Sequence, residues 1–339
     1  MRAIKKMIRI VPAALFLMAA LLACPSAPAR CPPPARLPSI DQLQATSEAG
    51  LDHGFLWRIS KGGRSSYLYG TIHVGRPDWM NLGPQLLQAL RASDTLALEL
   101  DPLDPDIQLG LAQGLADAKD PPLPDELNLR LREQADAACI SYDTIAALVP
   151  ELQVEALRML VARDDGLDPA FGIDPALAAI GHALGQHVVS LETIELQLQT
   201  LHSKDAQEAI DYVQDGLQEI ESGRARAMAV RIAQVWEQSD YEQMARFAQW
   251  CQCLETPSER RMLHRALDER NPGMVERIDA LHTGGSRVFA AVGSLHLFGD
   301  SGLPTLLALR GYRVERIDLQ RRPHAPDAHG DTPRNSLAH

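Results

Sequence analysis

The chain has 339 residues, 45% of them hydrophobic, which is enough apolar side chain for one large core or two modest ones. Its formal net charge is -11, from 33 Lys and Arg residues against 44 Asp and Glu residues. Because nucleic-acid binding needs a basic surface, this balance argues against a nucleic-acid partner. The acidic residues are spread along predicted helices, which is typical of a solvated surface.

The first 29 residues have the pattern of an export signal. Basic residues at Arg2, Lys5, Lys6 and Arg9 precede an apolar run over 10–23. This run is too short to span a bilayer comfortably, but it suits the core of a signal peptide. The sequence therefore predicts an exported protein, either periplasmic or secreted.

Two routes of signal processing remain open. Ala27-Pro28-Ala29 resembles an ordinary signal-peptidase site, whereas Leu21-Leu22-Ala23-Cys24 resembles a lipobox in which Cys24 would carry a lipid. Pro25 directly after that cysteine argues against the lipoprotein route. A lipid on Cys24 would be the only membrane attachment that the sequence predicts, since no later apolar stretch is long enough to cross a bilayer.

The five cysteines are Cys24, Cys31, Cys139, Cys251 and Cys253. Export would place them in an oxidising compartment, where disulfides persist. A single residue separates Cys251 from Cys253, which disfavours a bridge between them, and Cys139 could pair with either.

The domain begins with strands. Residues 30–50 are rich in Pro, Ala and Ser and predict a linker, followed by a folded domain over 51–320. Strand-like runs at 55–60 and 66–72 flank Lys61-Gly62-Gly63-Arg64, which predicts a hairpin.

The next part of the chain contains predicted helices, one predicted strand and one predicted irregular segment. A helix over 84–92 and a strand over 95–100 are predicted, whereas the prolines and aspartates of 101–124 predict irregular structure. Helical periodicity resumes over 125–162 and 175–185.

The last part predicts a strand over 187–191, then a long helical block over 195–281 without a strand candidate. Two further strands, 287–292 and 312–317, flank a helix over 303–310 that Gly311 ends. The tail from 321 to 339 is polar and predicted to be disordered. Strands at both ends with helices between them predict an α/β fold, with a mixed central sheet and a large helical insertion or cap.

A short motif occurs twice, far apart. Gly70-Thr71-Ile72-His73 and Gly293-Ser294-Leu295-His296 each follow an apolar strand with a glycine, two residues and a histidine. Glycine lets the chain turn sharply or lets a ligand approach the backbone. The repeat suggests one composite site that the fold closes.

Four polar residues lie at or just past predicted strand ends: His73, Glu99, Glu192 and His296. Ligands of α/β sheets tend to bind at such ends. Two imidazoles with one or two carboxylates can bind a divalent metal with open positions, while a free carboxylate serves as general base.

Structural interpretations stand beside this hypothesis. A histidine after a strand can serve as a hydrogen-bonded structural residue, and Glu99 can pair with an arginine. Asp174 precedes Pro175, so we interpret it as a helix N-cap. Ser294 is expected to support its turn with a hydrogen bond, and His182 is expected to be solvated.

Arg270 and Asn271 lie between two predicted helices, just before Pro272. They could cap these helices, or the guanidinium could point at the site.

The ordered series of motifs resembles the TraB/GumN family over roughly 50–319. Besides the two Gly-x-x-His segments and Glu99, the series contains Gly172-Ile173-Asp174, Leu191-Glu192-Thr193 with Gln197, Arg270-Asn271, and the later Gly299 and Gly302. The paired motifs are shared with the animal TIKI ectoenzymes, which are metal-dependent proteases.

The resemblance implies a fold similar to the ChaN and erythromycin-esterase group, and an exported metal-dependent hydrolase, most simply a peptidase. Its metal, Mn, Co or Zn, would bind to His73, Glu99 and His296. Glu99, Glu192, Arg270 and Asn271 would form the catalytic group.

The substrate would be a peptide or a small molecule. Two alternatives remain: a metal-independent, esterase-like hydrolase in which a histidine and a glutamate activate water, and a non-catalytic protein that binds a ligand or metal.

Overall fold

The computed structural model describes residues 31–36, 50–117, 122–203 and 205–319. The predicted signal peptide with Cys24, most of the predicted linker and the predicted tail lie outside these residues. Within them, no helix combines the length and the apolar character needed to cross a bilayer.

The described strands form one mixed sheet, as predicted. They are β1 Phe55–Lys61, β2 Arg64–Thr71, β3 Thr95–Leu98, β4 His187–Ser190, β5 Val288–Gly293 and β6 Arg313–Ile317. Their order across the six-stranded sheet is β4-β3-β5-β2-β1-β6. Strand β1 is antiparallel to both β2 and β6, whereas β2, β5, β3 and β4 are mutually parallel.

The hairpin between β1 and β2 closes on the pair Lys61 and Arg64. Gly62 and Gly63 between them have φ angles of 59° and 78°. Two consecutive positive φ angles fit the two-residue hairpin turns whose twist matches that of the strands, and glycine adopts them without strain. The predicted hairpin is thereby confirmed.

Strand β5 lies at the centre of the parallel part of the sheet, between β3 and β2. Residues 288–292 are all 0% exposed. Parallel strands covered on both faces have continuous apolar sequences, which explains the unbroken Val-Phe-Ala-Ala-Val run. Thr71 pairs with Gly293, so β2 and β5 end side by side.

The helices fill the connections between strands. They are α1 Pro84–Arg91, α2 Pro105–Asp117, α3 Asp125–Ala137, α4 Pro150–Arg158, α5 Ile173–Ala183, α6 Ile194–Leu201, α7 Ala206–Glu221, α8 Arg224–Glu237, α9 Tyr241–Ala245, α10 Phe247–Trp250, α11 Pro257–Leu263, α12 Asn271–Thr283 and α13 Leu303–Leu309. A π-helical turn, His264–Asp268, lies between α11 and α12.

The helical part draws on two segments of the chain. A second core joins Leu131 of α3 and Leu157 of α4, which precede β4, to Val213 and Leu217 of α7, which follows it. The helical cap is therefore built from both connections that flank β4.

The prediction of irregular structure over 101–124 was wrong, because helix α2 occupies Pro105–Asp117. Asp104 Oδ1 accepts a hydrogen bond from the backbone N–H of Asp106, and Pro105 is the first helical residue. Proline at this position starts a helix, since its missing N–H would have no helical partner there.

The expectation that Cys251 and Cys253 would not pair was also wrong. They form a disulfide with Cα atoms 5.0 Å apart, a normal separation for such a bridge. Gln252 between them has a φ of 49°, and this left-handed backbone turn accompanies the short ring. Cys139 therefore bonds to neither of them.

Candidate functional site

The four polar residues predicted at strand ends lie at one edge of the sheet. His73 and Glu99 follow β2 and β3, Glu192 follows β4, and His296 lies on a 3₁₀ turn, Ser294–Leu297, that follows β5. Because these strands are parallel, their carboxyl ends share an edge. Parallel pairing thus brings together residues up to 223 positions apart.

Gly293 marks the point where three of these side chains converge. A Cβ atom on this glycine would lie 3.3 Å from Oε1 of Glu99, 3.6 Å from Nε2 of His73 and 3.7 Å from Cδ2 of His296. Both imidazoles and the carboxylate therefore border the same small space, and the absence of a side chain at Gly293 keeps that space open.

The imidazole of His73 is oriented by Asp174. Asp174 Oδ2 accepts a hydrogen bond from His73 Nδ1 at 2.9 Å, and Oδ1 accepts one from Thr71 Oγ1 at 2.6 Å. The carboxylate charge raises the pKa of His73 to about 9. With Nδ1 committed as a donor, Nε2 is the nitrogen that faces Glu99.

The interpretation of Asp174 as an N-cap was wrong. Helix α5 begins at Ile173, its N-cap is Gly172, and no side chain caps it. Asp174 lies inside the first turn, so its carboxylate reaches across to the end of β2 rather than back to the helix.

His296 is oriented by Asn271 from helix α12. His296 Nδ1 donates to Asn271 Oδ1 at 2.6 Å, while Asn271 Nδ2 donates to the backbone carbonyl of Ser301 at 2.8 Å. The second bond fixes the amide orientation, so Nδ1 carries the proton. Burial lowers the pKa of His296 to about 4, and the neutral ring presents the lone pair of Nε2, 3.7 Å from Oε1 of Glu99.

Both oxygens of Glu99 have partners. Oε1 accepts the backbone N–H of Gly293 at 2.7 Å, and Oε2 accepts Arg270 Nη2 at 2.6 Å and Gln197 Nε2 at 3.4 Å. Oε1 is the oxygen that faces the two imidazoles.

The pKa of Glu99 reflects opposing effects. Burial acts to raise it, but the electrostatic interactions of Glu99 with His296, Arg270 and His73 outweigh burial and lower the pKa to about 2. Glu99 is therefore an ionised carboxylate in this site.

Glu192 forms a two-point ion pair with Arg270. Its Oε1 accepts Arg270 Nε at 2.8 Å, and its Oε2 accepts Arg270 Nη2 at 2.6 Å and Gln197 Nε2 at 2.8 Å. The Glu192 side chain is only 1% exposed. Its oxygens are thus occupied, and Glu192 holds Arg270 in place.

Arg270 lies between the π-helical turn and α12, as the N-cap of that helix. Its Nη1 donates to the backbone carbonyl of Ala266 at 3.0 Å, inside that turn. Such wider turns are frequent at functional sites. Of the two interpretations of Arg270, the structure supports a guanidinium directed at Glu99 and Glu192.

The two repeated glycines have different roles. A Cβ on Gly70 would lie 2.9 Å from Ser294 Oγ, so this glycine admits the turn that carries His296. Ser294 Oγ donates to the carbonyl of Thr71 at 2.7 Å, which confirms that it supports the turn. Gly293 instead borders the three donor side chains.

Two orienting residues were missed from the sequence alone. The sequence around Asp174 indicates a helix cap, and the motif that contains Gln197 indicates no role for it, yet Gln197 bridges Glu99 and Glu192. A polar residue inside an apolar helix start was the available signal for Asp174. His182, expected to be solvated, is 46% exposed and pairs with Asp101 at 2.8 Å.

The donor atoms of this site are not at coordination distances. Among the described residues, no group of three His, Cys, Asp or Glu side chains is arranged to hold a metal ion. The nearest donors, His296 Nε2 and Glu99 Oε1, are 3.7 Å apart, so side-chain shifts would have to draw the donors around a cation.

Comparison with curated proteins and with solved structures finds no significant match. A family model does match: the model of the TraB/PrgY/gumN family aligns with residues 55–316. This range runs from the first residue of β1 to the last strand and includes every residue of the site described above. The chain therefore belongs to the TraB/PrgY/gumN family.

Proposed function

We propose that this protein is a metal-dependent hydrolase that cleaves peptide bonds, with a divalent cation held by His73, Glu99 and His296. The observation that carries the proposal is the convergence of these side chains on the open space at Gly293. Family membership supports the same site, because the family match spans both Gly-x-x-His segments.

The donor set fits a divalent transition metal. Imidazole nitrogen and carboxylate oxygen suit Zn, Mn and Co, with bonds of about 2.0–2.2 Å for Zn. Asp174 and Asn271 each accept a hydrogen bond from Nδ1 of one histidine. Ligand histidines typically donate their other ring nitrogen in this way, which fixes the ring and the tautomer.

The charges also favour a cation. Glu99 and Glu192 share one guanidinium, that of Arg270, so this buried group keeps a negative charge beside the two imidazoles. A bound divalent ion supplies Lewis acidity and lowers the pKa of a bound water.

The chain's own groups constrain the rest of the chemistry. Asp174 and Glu192 have both oxygens engaged by neighbours, whereas Oε1 of Glu99 accepts one backbone N–H and keeps a lone pair toward the imidazoles. Glu99 Oε1 is thus the oxygen able to bind a cation or take a proton. The Ser294 hydroxyl is committed to the Thr71 carbonyl, which disfavours a serine nucleophile.

Substrate would approach past His73. The His73 side chain is 56% exposed, whereas that of His296 is 4% exposed. The site is therefore open on the β2 side, where an extended chain could lie against the sheet edge.

The test combines elemental analysis with peptide hydrolysis. The protein, purified without chelators, is expected to contain about one equivalent of a transition metal and to cleave a peptide library. The variant carrying both His73→Ala and His296→Ala should lose metal and activity. His187→Ala is the matched control, because His187 is an exposed histidine at the opposite, amino end of β4.

Two results would overturn the proposal. One is peptide cleavage that persists at full rate after exhaustive chelation. The other is equal metal content in the double variant and in the His187→Ala control.

A further inference from the structure

The helical cap contains a cavity of about 400 Å³. Its walls come from α4, α7, α8, α10, α11 and the disulfide loop, and none of its lining residues belongs to the candidate site. Its apolar lining includes Met228, Ile232, Phe247, Met262, Cys251 and Cys253. Small-molecule pockets typically have volumes of roughly 300–1,000 Å³ and apolar walls, so this cavity has a suitable size and lining.

The polar groups at one end of the cavity make their hydrogen bonds mainly with one another. Arg158 donates to Glu155, to the Tyr212 hydroxyl at 2.9 Å and to Glu219 at 2.6 Å, while Tyr212 donates to Glu155. The Nε atom of Arg158 has no hydrogen-bond partner in the described part of the chain, and it is enclosed by protein.

The charged groups nearer the rim also have partners. Arg224 pairs with Glu255 at 3.2 Å, and Glu259 accepts the backbone N–H of Thr256 at 2.7 Å in a capping box. A charged ligand would therefore lose its hydration without gaining an unpaired counter-charge, which is costly.

Sulfur is abundant in the wall. Met228 and Met262 face the cavity together with the Cys251–Cys253 disulfide. Thioether side chains are flexible and polarizable, so they adapt to apolar ligands of different shapes. This composition favours an apolar ligand over a polar ligand that is recognised through hydrogen bonds.

We propose that this cavity is a binding site for a small, uncharged apolar molecule, such as an aryl or alkyl compound. The cavity is separate from the candidate metal centre but borders the same turn: Ala266 lines it, and the Ala266 carbonyl accepts the hydrogen bond from Arg270. An occupant would thus contact the turn that anchors Arg270.

The test uses N-phenyl-1-naphthylamine, an uncharged probe whose fluorescence rises in apolar surroundings. Saturable binding to the full chain is expected. Ala229→Phe, which places an aromatic ring in the cavity, should weaken binding about tenfold or more, because an overpacked site excludes the probe.

Ala227→Phe is the control, since Ala227 is an exposed residue of the same helix and its variant should bind as the wild type does. Ala229→Leu should give a smaller loss in the same direction, and thermal unfolding shows whether each variant is folded. An anionic naphthalenesulfonate should bind about tenfold more weakly than the neutral probe.

Absence of saturable binding to the wild type would overturn the proposal, as would equal binding by the Ala229→Phe and Ala227→Phe variants. Equal affinity for the anionic probe would overturn the assigned ligand chemistry. None of these measurements depends on metal or on hydrolysis, so the outcome is independent of the proposed function.

Discussion

Asn271 determines which nitrogen of His296 faces the candidate metal centre. Its Oδ1 accepts from His296 Nδ1 at 2.6 Å, and its own Nδ2 is held by the Ser301 carbonyl. Asp268 accepts a hydrogen bond from the Ser301 side chain, so the chain of contacts continues into the π-helical turn. The orientation of this histidine thus depends on a series of contacts that extends beyond the candidate site.

Replacing Asn271 by Ala is therefore expected to weaken metal binding. Without the acceptor, His296 is free to rotate or to adopt the other tautomer, and loss of such orienting partners typically costs about 10–100-fold in metal affinity. Competition with a chromophoric chelator measures the affinity. Asn271→Asp retains an acceptor oxygen and should bind metal more tightly than Asn271→Ala; the reverse order would contradict the orienting role.

Asp174 is expected to play the same part for His73. Asp174→Asn removes the carboxylate charge that faces His73 Nδ1, so we expect a loss of about 10–100-fold in metal affinity. The chain provides a matched control in Asp101, whose carboxylate contacts His182 at 2.8 Å rather than His73 or His296. Asp101→Asn should leave metal affinity unchanged, and an equal effect of both variants would point to a general loss of structure.

The sequence predicted the site better than it predicted the cap. Each parallel strand ends in an apolar run followed by a polar side chain, so His73, Glu99, Glu192 and His296 could be placed at one sheet edge before the structure was known. An apolar run and the polar residue that follows it are local features of the sequence, and they suffice for this inference once the strands are taken as parallel.

The orienting contacts could not be predicted in the same way. Asp174 is separated from His73 by 101 positions, and its local surroundings, a proline and an apolar helix, indicate capping. Which side chain it meets depends on how α5 packs beside β2. The packing of helices from before and after β4 into one second core likewise depends on tertiary contacts, which amphipathic periodicity does not predict.

Arg270 is expected to be important for stability as well as for the site. Its side chain is 9% exposed and lies between Glu99 and Glu192. Arg270→Met would leave the buried Glu192 carboxylate without its counter-charge and remove one positive group beside Glu99, and breaking a buried pair in this way costs about 3–5 kcal/mol. Urea unfolding of metal-free protein measures the loss in the free energy of unfolding.

A second substitution tests whether that loss comes from uncompensated charge. Adding Glu192→Gln to Arg270→Met removes the charge of the carboxylate that lost its ion-pair partner. The double variant should therefore be more stable than Arg270→Met alone. If the two substitutions were simply additive, the ion pair would not be the source of the effect.

The variant Gly293→Ala is expected to weaken metal binding without destabilising the fold. Gly293 has a φ of -50° and a ψ of 135°, which alanine adopts without strain, so the sheet should form normally. The added methyl group would lie 3.3 Å from Oε1 of Glu99 and 3.6 Å from Nε2 of His73, inside the space that a shared cation would use. We expect a loss of metal affinity of about tenfold or more, with the free energy of unfolding changed by less than about 1 kcal/mol.

Gly273→Ala in α12 is the control, because nothing lies within 4 Å of its added Cβ. Isothermal titration with Zn²⁺ or Mn²⁺ distinguishes the two variants, and wild-type affinity in Gly293→Ala would show that the donors do not share an ion at this point.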